Sequence, residues 1–528
     1  MKLSKFYNYP DILSWVLLGV FSLLYILRTS SVLYFEGGDN AHYILLAKAL
    51  LTGAGYSDFM LPGSPMHTQY PFVFPLILAG VIGVKGMSVF WMKMVLSVSV
   101  AGTFIAVYFL LRRRIFPWAI VSIIWFALSY KFFHQTDRLL SDPLFMVLLI
   151  ISLLYFDKWQ QESSRKAFAI FVVAGWLAIM TKTAGIALVP ACFVAILARG
   201  GRKKVFWATI TALLLLLPFL GWALRNLSVA EIPTDYVSQF FAADPYDPSK
   251  GRLGVATFVS RIFHNIKIHG LEMGHILGAN SAAFPHIAKI IAALAAFAVV
   301  LTGFIPRLVR KASVIEIFVV VYSLMILAWP FRGYRFLMPI YPFLFAYLIS
   351  GAYSFTKQSS SMNKRSWFKR CLLALFVLIF LFSTVINAGM SLGYYSRISR
   401  NVKSGNYLKL DGLQVMPVRP EYRRLLYASG WLRQNARENE LTLTRLPWLV
   451  ALISETKVFN YPPTPPSYPQ RWLDENNIRF ILVDEIYPDS LKFVWKLTGG
   501  KKNVPGISVK YRKGNTLILA NEKIPAQP

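Results

Sequence analysis

Apolar runs follow one another as far as residue 388, near 11–28, 71–84, 88–111, 116–133, 143–157, 167–181, 185–198, 205–224, 287–304, 314–330, 335–353 and 370–388. A run such as 205–224 (VFWATITALLLLLPFLGWAL) holds no charge and is long enough to cross a bilayer as a helix. Lipid offers no water to backbone N–H and C=O groups, so only helices and closed barrels span it. The runs lack the two-residue alternation of barrel strands, so they predict a polytopic α-helical membrane protein. After residue 388 the pattern changes. A helical repeat at 422–435 (YRRLLYASGWLRQN) precedes short β-rich pieces at 441–444, 457–460 and 479–484, with another helix at 470–476. The Pro-rich stretch 461–469 (YPPTPPSYP) reads as loop, and 507–512 with 516–520 reads as a hairpin. The tail therefore predicts a small α/β domain over residues 389–528.

Charge decides which way the helices run. Only 15% of the residues are charged, where a soluble domain carries about a quarter. The net charge of +31, from 56 basic and 25 acidic residues, lies largely in short loops at 112–114, 158–166, 199–204, 307–311 and 357–370. That placement marks topology-setting charge and not a nucleic-acid face. If all twelve runs spanned, loop 112–114 and most later basic loops would face outward. Removing 71–84 repairs every loop at once; it is short, starts with Pro71 and carries Pro75, Gly80 and Gly83. The expectation is about eleven transmembrane helices, N-terminus inside and C-terminus outside, with 71–84 interfacial or re-entrant. The first run has a basic flank but no small-residue cleavage site, so it reads as an uncleaved first span. Cys192 and Cys371 lie inside apolar runs, which argues against a disulfide framework.

This topology puts outside the loops 29–87, 133–142 and 225–286, the turns 181–185 and 331–335, and the whole tail. Inside it leaves only short basic loops. They have no room for a nucleotide-binding domain and carry no GxxxxGK[ST] phosphate loop. Such a protein is poorly placed to use cytoplasmic nucleotide-activated substrates, whereas a lipid-carried one fits.

Charged residues at span ends are functional candidates because desolvating them is costly. The first outer loop opens Phe35-Glu36-Gly37-Gly38-Asp39-Asn40-Ala41-His42-Tyr43. Its glycines let the backbone turn before a helix at 41–51, and the plain alternative for Asp39 is a helix N-cap. Asp142, just before Pro143, has the same two readings. Lys182, in Thr181-Lys182-Thr183-Ala184-Gly185, and Arg335, in Arg332-Gly333-Tyr334-Arg335-Phe336, suit a bound phosphate. Snorkelling to the interface is their alternative. In loop 225–286, beside His264, the spacing His269-x-x-Glu272-x-x-His275 admits a divalent metal. Positions i and i+6 are poorly placed to share one ion, however, and ordinary loop residues are the alternative.

These residues carry a resemblance. The Asp39 loop with its Ala-Leu-rich helix and Gly55-Tyr56, then Gln69-Tyr70-Pro71 with Pro75, resemble the GT-C glycosyltransferases of the protein O-mannosyltransferase and aminoarabinose (lipid A) transferase kind. Leu140-Ser141-Asp142-Pro143, the Met180-Thr181-Lys182 turn with Pro190, and Tyr334-Arg335-Phe336-Leu337-Met338-Pro339 continue the set in the same order and on the same side. The resemblance covers roughly residues 10–350 and extends loosely to the tail. It implies a transmembrane GT-C module over 1–388 and an extracytoplasmic domain over 389–528. It further implies Asp39 as the catalytic aspartate, Asp142 as the second acid, and Lys182 and Arg335 as holders of the donor phosphate. Tyr334, Tyr70 and His42, in the same motifs, are substrate-binding candidates. Many relatives follow the first Asp with Glu; here Asn40 stands, which speaks against a metal bound by that pair, and no cofactor is required.

The expected activity is hexosyl or pentosyl transfer from a polyprenyl-phosphate-linked donor to a lipid, glycan or protein acceptor. It would take place on the extracytoplasmic side of the cell inner (plasma) membrane. A carboxylate takes the acceptor's proton, and cations stabilise the departing lipid phosphate. One alternative is a lipid-linked sugar transporter or flippase, which would show two related halves; none is visible. The other is a polysaccharide polymerase or ligase of another fold, with its key residues in a middle or late outer loop.

Overall fold

In the computed structural model of the chain, the described residues are 12–35, 38–115, 118–229, 236–245, 250–278, 285–357, 366–405, 407–410, 413–417, 419–462, 464–486, 488–499 and 504–525. The apolar runs become helices: α1 (Ile12–Leu27), then, after strand β1 (Val32–Phe35), α2 (Asp39–Leu51), α3 (Val73–Lys85) and α4 (Val89–Ile115). Next come α5 (Ala119–Leu128), α6 (Tyr130–Thr136), α7 (Asp142–Glu162), α8 (Arg165–Thr181), α9 (Leu188–Arg199) and α10 (Lys204–Val229). The short α11 (Tyr236–Phe241) and α12 (Val255–Glu272) lead to α13 (His286–Lys311), α14 (Val314–Ala328), α15 (Tyr341–Lys357) and α16 (Ser366–Lys403).

Burial shows what these helices face. The apolar window of α4 is 61% buried, but those of α10, α13 and α16 are only 22%, 22% and 17% buried. Leu213, Leu217 and Leu220 of α10, and Leu378, Leu381 and Val385 of α16, stand exposed. Water would penalise so much open apolar surface, whereas lipid does not. These four helices are long and apolar enough to cross a membrane. Helix α3, with 13 residues, spans about 20 Å, short of the roughly 30 Å hydrocarbon core.

Several runs differ from their expected extent; run 335–353 opens as 3₁₀ turns at Tyr334–Phe336 and Met338–Ile340 before α15 begins, and run 287–304 continues to Lys311. Run 116–133 breaks at Ser129, whose ψ of 119° ends α5 and starts α6; the amide of Tyr130 donates instead to Asn387 Oδ1 at 3.0 Å. The last run continues unbroken to Lys403, so the boundary drawn at 388 falls inside α16. At the far end of α4, Arg114 does more than set topology, since it pairs with Asp157 at 2.8 Å.

Strand order in the tail explains how it attaches. Strands β2 (Leu408–Leu410) and β3 (Leu413–Pro417) form a sheet with β1, in the order β1-β3-β2. The β1–β3 pairing is parallel, with Val32 opposite Gln414 and Tyr34 opposite Met416. Helix α17 (Pro420–Asn435) then leads to β4 (Leu441–Thr444), α18 (Pro447–Ser454), β5 (Val458–Asn460), α19 (Pro469–Glu475) and β6 (Ile478–Val483). Helix α20 (Pro488–Thr498) and the β7–β8 hairpin (Ile507–Lys513 and Thr516–Asn521) complete a five-stranded sheet ordered β5-β4-β6-β8-β7. The elements expected at 422–435, 441–444, 470–476, 479–484 and in the hairpin are present within a few residues, while β1–β3, α18 and α20 were not foreseen. The tail also meets the first loop at Val458, whose amide donates to Met60 O at 2.9 Å.

Buried charge braces the same end of the bundle. Lys93 of α4 donates to Ser30 Oγ at 2.9 Å and Asp137 Oδ1 at 3.2 Å, and Tyr394 of α16 donates to Asp137 Oδ2 at 3.2 Å. Arg28 donates to Phe133 O and Thr136 Oγ1, both at 2.5 Å. A buried pair broken on one side leaves an uncompensated charge, so the network ties α1, α4, α6 and α16 together around the first loop.

Elsewhere helices touch backbone to backbone. A Cβ on Gly351 of α15 would lie 2.0 Å from Val299 O and 3.1 Å from Gly303 N of α13. Small residues permit such crossings. Gly351→Ala is therefore expected to force α13 and α15 apart and lower the thermal midpoint of the purified protein by several degrees, whereas Gly389→Ala, with nothing within 4 Å, leaves it unchanged. Equal midpoints for the two variants would contradict this crossing.

Candidate active site

The site is built where the first loop, three helix ends and the tail meet. Gly38 occupies the N-cap of α2 and makes no side-chain cap bond, so Asp39 is the first helical residue and not the cap. Its carboxylate is used elsewhere: Oδ1 accepts from the Tyr70 hydroxyl at 3.1 Å and Oδ2 from Arg335 Nη1 at 2.9 Å. Asp142 likewise starts α7 behind Ser141. Its Oδ1 takes a hydrogen bond from Lys182, and its Oδ2 is buried with no partner among the described residues. Both acids expected from sequence thus meet the two cations expected from sequence, as two ion pairs.

The pairs differ in depth. Asp39 and Arg335 are 35% and 30% exposed, whereas Asp142 and Lys182 are 1% and 13% exposed. A substrate would therefore reach the Asp39 pair first. Tyr43 bridges toward the deeper pair, its hydroxyl 3.1 Å from Ser141 Oγ. The Phe336 ring lies between the cations, 5.3 Å from Arg335 and 5.5 Å from Lys182. Arg335 Nε is buried and has no partner among the described residues, so a hydrogen-bond donor stays available there.

Charge pairing sets the protonation states. Burial alone would raise the Asp39 carboxyl, but the charge and hydrogen bond of Arg335 and the Tyr70 hydroxyl outweigh it, and the group titrates below its usual value. Burial would lower the Arg335 guanidinium; Asp39 and Asp142 instead push it up. At neutral pH the outer pair is fully ionised.

The remaining expected residues separate. Tyr70 holds Asp39, as described. Tyr334 turns toward α6, donating to Gln135 Oε1 at 3.0 Å with His134 Nδ1 at 3.1 Å. His42 points into the first loop, where its Nε2 lies 2.6 Å from Asp58 Oδ1, and Asp58 Oδ2 lies 3.1 Å from His67 Nδ1. Arg225 at the end of α10 steadies that loop by donating to His67 O at 2.5 Å and Tyr56 O at 3.3 Å. The His269 motif does not converge: His275 Nδ1 faces Glu272 at 2.7 Å, while both His269 nitrogens are buried and without partners among the described residues. Among the described residues the group whose ligand atoms all come within 4.8 Å of one another is His42, Asp58 and His67.

An apolar cavity of about 480 Å³ is lined by Leu50, Tyr56, Phe72, Leu76, Met180 and Trp222, with Arg225 also in its wall; neither ion pair lines it. The cavity's nearest approach to the ion pairs along the chain is Met180, two residues before Lys182. Sequence reading missed Tyr43, Asp58, His67, Phe336, Arg225 and the tail's Trp448. Asp58 and His67 carry no local signal because each acquires its meaning only through partners brought in by folding.

Acid should loosen this loop. Burial pushes the His67 imidazole down to about 4, although Asp58 pulls the other way. An unfolded His takes its proton near pH 6.5. The stability His67 contributes is thus complete above about pH 6.5 and lost as pH falls toward 4. Asp58, whose carboxyl is held low by His42 and His67 against the effect of burial, loses its contribution only in stronger acid. The thermal midpoint is expected to be lower at pH 5 than at pH 7, and His67→Gln should shrink that difference; an unchanged difference would contradict the assignment.

The chain is similar to ArnT from Cupriavidus metallidurans bound to undecaprenyl phosphate, at 13% identity and a TM-score of 0.59, over 98% of this chain and 100% of that one. Its apo state gives the same figures. The arabinofuranosyltransferase AftD from Mycobacteria is similar at 14% identity and a TM-score of 0.50, over 97% of this chain and 40% of that one. No protein-family model and no curated protein sequence matches. Identities this low speak to architecture alone, and the architecture is the one these solved structures share.

Proposed function

We propose that this chain transfers a sugar from a polyprenyl-phosphate-linked donor to an acceptor hydroxyl on the extracytoplasmic side of the inner (plasma) membrane. The observation that carries the reading is the accessible Asp39–Arg335 pair backed by the buried Asp142–Lys182 pair. Support also comes from the apolar cavity lined by Tyr56, Met180 and Trp222, which suits an isoprenoid chain. The architecture is further one in which ArnT binds undecaprenyl phosphate. The topology that goes with this reading has about eleven spans, with the chain up to α16 as the membrane module and the tail that follows α16 extracytoplasmic. Loop charge supports it.

Without substrate, Arg335 neutralises Asp39 and keeps it a weak base. An arriving donor phosphate offers the partly exposed Arg335 guanidinium a competing anion. As Arg335 turns to the phosphate, Asp39 recovers basicity beside the acceptor. The acceptor oxygen then bonds to the anomeric carbon, its proton passes to Asp39, and the carbon–oxygen bond to phosphate breaks. The polyprenyl phosphate leaves with an added negative charge, which Arg335 and Lys182 stabilise. Asp142 holds Lys182 in place, and Tyr70 holds Asp39.

Asp39→Asn separates this role from a structural one. Asn keeps the volume and can still accept from the Tyr70 hydroxyl, but it takes no proton. The variant is expected to express and insert normally. Its transfer from a panel of polyprenyl-phosphate sugars should fall by at least about a hundredfold, with Asp142→Asn losing less. Wild-type transfer by Asp39→Asn would end the assignment of Asp39 as base.

A further inference from the structure

His42, Asp58, His67 and Tyr70 close a ring that returns to Asp39. One turn along α2 from Asp39, the amide of His42 donates to Gly38 O at 3.0 Å. His42 Nε2 reaches Asp58 at 2.6 Å, and Asp58 reaches His67 Nδ1 at 3.1 Å. The amide of Tyr70 donates to His67 Nε2 at 2.7 Å, and the Tyr70 hydroxyl donates to Asp39 Oδ1 at 3.1 Å. The tail closes the ring from above. Trp448 of α18 stacks on the His42 ring with centroids 3.7 Å apart and planes at 14°. Its Cδ1 would lie 3.3 Å from a Cβ on Gly38, so a side chain there would crowd the indole.

The proton positions follow from the donors. A backbone N–H can only donate, so His67 Nε2 must present its lone pair to Tyr70, and the ring proton sits on Nδ1. That proton goes to Asp58, which also accepts from His42 Nε2. The burial that pushes His67 down to about 4 keeps it neutral in this tautomer. The same logic weighs against an ion in the His42–Asp58–His67 group. A metal on Nδ1 would force a proton onto Nε2, where it would face the Tyr70 N–H.

The geometry points to Trp448, His42, Asp58 and His67 as positioning residues that set the Asp39 carboxylate through the Tyr70 hydroxyl. The assignment rests on the proposed transfer reaction for its kinetic consequence, but its structural half stands apart. Tyr70, expected from sequence to bind substrate, becomes in this account the last link to Asp39. It should therefore govern turnover and not donor affinity.

The test uses the full chain in lipid nanodiscs, labelled with ¹⁵N-histidine, at pH 7. The His67 resonances, identified by their loss in His67→Gln, are expected to report a neutral Nδ1–H tautomer that equimolar Zn²⁺ leaves unshifted. An Nε2–H tautomer, or a Zn²⁺-induced shift to a ligated Nδ1, would overturn the ring. With polyprenyl-phosphate sugars as donors, Trp448→Ala and Tyr70→Phe should each lower kcat about ten- to hundredfold, with donor KM little changed, and Trp448→Phe should restore most of the loss. The double variant Trp448→Ala/Tyr70→Phe should lose no more than the worse single, because both act through one link. Multiplying losses, or a raised KM at unchanged kcat, would overturn the positioning role. If the wild type transfers none of these sugars, the transfer reading fails, while the tautomer and Zn²⁺ measurements still decide the ring.

Discussion

A carboxylate taken out of water must find a cation or a set of donors, and the site end of this protein is organised around that requirement. Asp39, Asp142, Asp58 and Asp137 lie within a short stretch of structure, and each is met by partners from another element. Arg335 comes from the turn before α15, Lys182 from the turn after α8, the histidines from the first loop, and Lys93 from α4. Removing one member leaves its partner charged and desolvated, which costs far more than the pair itself contributes. The helices are thereby locked together at the end that carries these pairs, and the opposite end needs only short connections.

The same constraint suits a reaction in which an anion arrives and another leaves. With two cations already held beside two carboxylates, a phosphate can be received by exchanging one anion for another at a single cation. The outer pair is open and the inner pair closed, so exchange can occur at Arg335 while Lys182 stays anchored by Asp142. The tail contributes more than a cover. Its β3 strand extends the strand that precedes Asp39, and Trp448 presses on the turn that carries it. Loop and tail therefore behave as one support for the carboxylate.

Much of this is legible in the sequence. Uncharged runs give the helices because lipid permits little else, and the charges that interrupt them stand out against an apolar background. Asp39, Asp142, Lys182 and Arg335 were visible for that reason. Asp58 and His67 lie in a mixed loop and Trp448 in a short apolar helix, where one more acid, histidine or aromatic is unremarked. Their meaning depends on contacts such as Trp448 with His42, about four hundred residues apart. The break at Ser129 escaped notice because the run stays apolar across it; Asn387, far along the chain, supplies the bond that makes the break tolerable. Tyr334 shared a motif with Arg335 but faces His134 and Gln135, since neighbours in a 3₁₀ turn point in different directions.

Exchange of anions at Arg335 is the central claim, and a cryo-EM reconstruction of the full chain with undecaprenyl phosphate tests it most directly. The account predicts phosphate density between Arg335 and Lys182, with the prenyl chain entering the cavity lined by Tyr56, Met180 and Trp222, and the Arg335 guanidinium withdrawn from Asp39 toward the phosphate. Phosphate bound elsewhere, or bound here with the 2.9 Å Arg335–Asp39 contact intact, would contradict it.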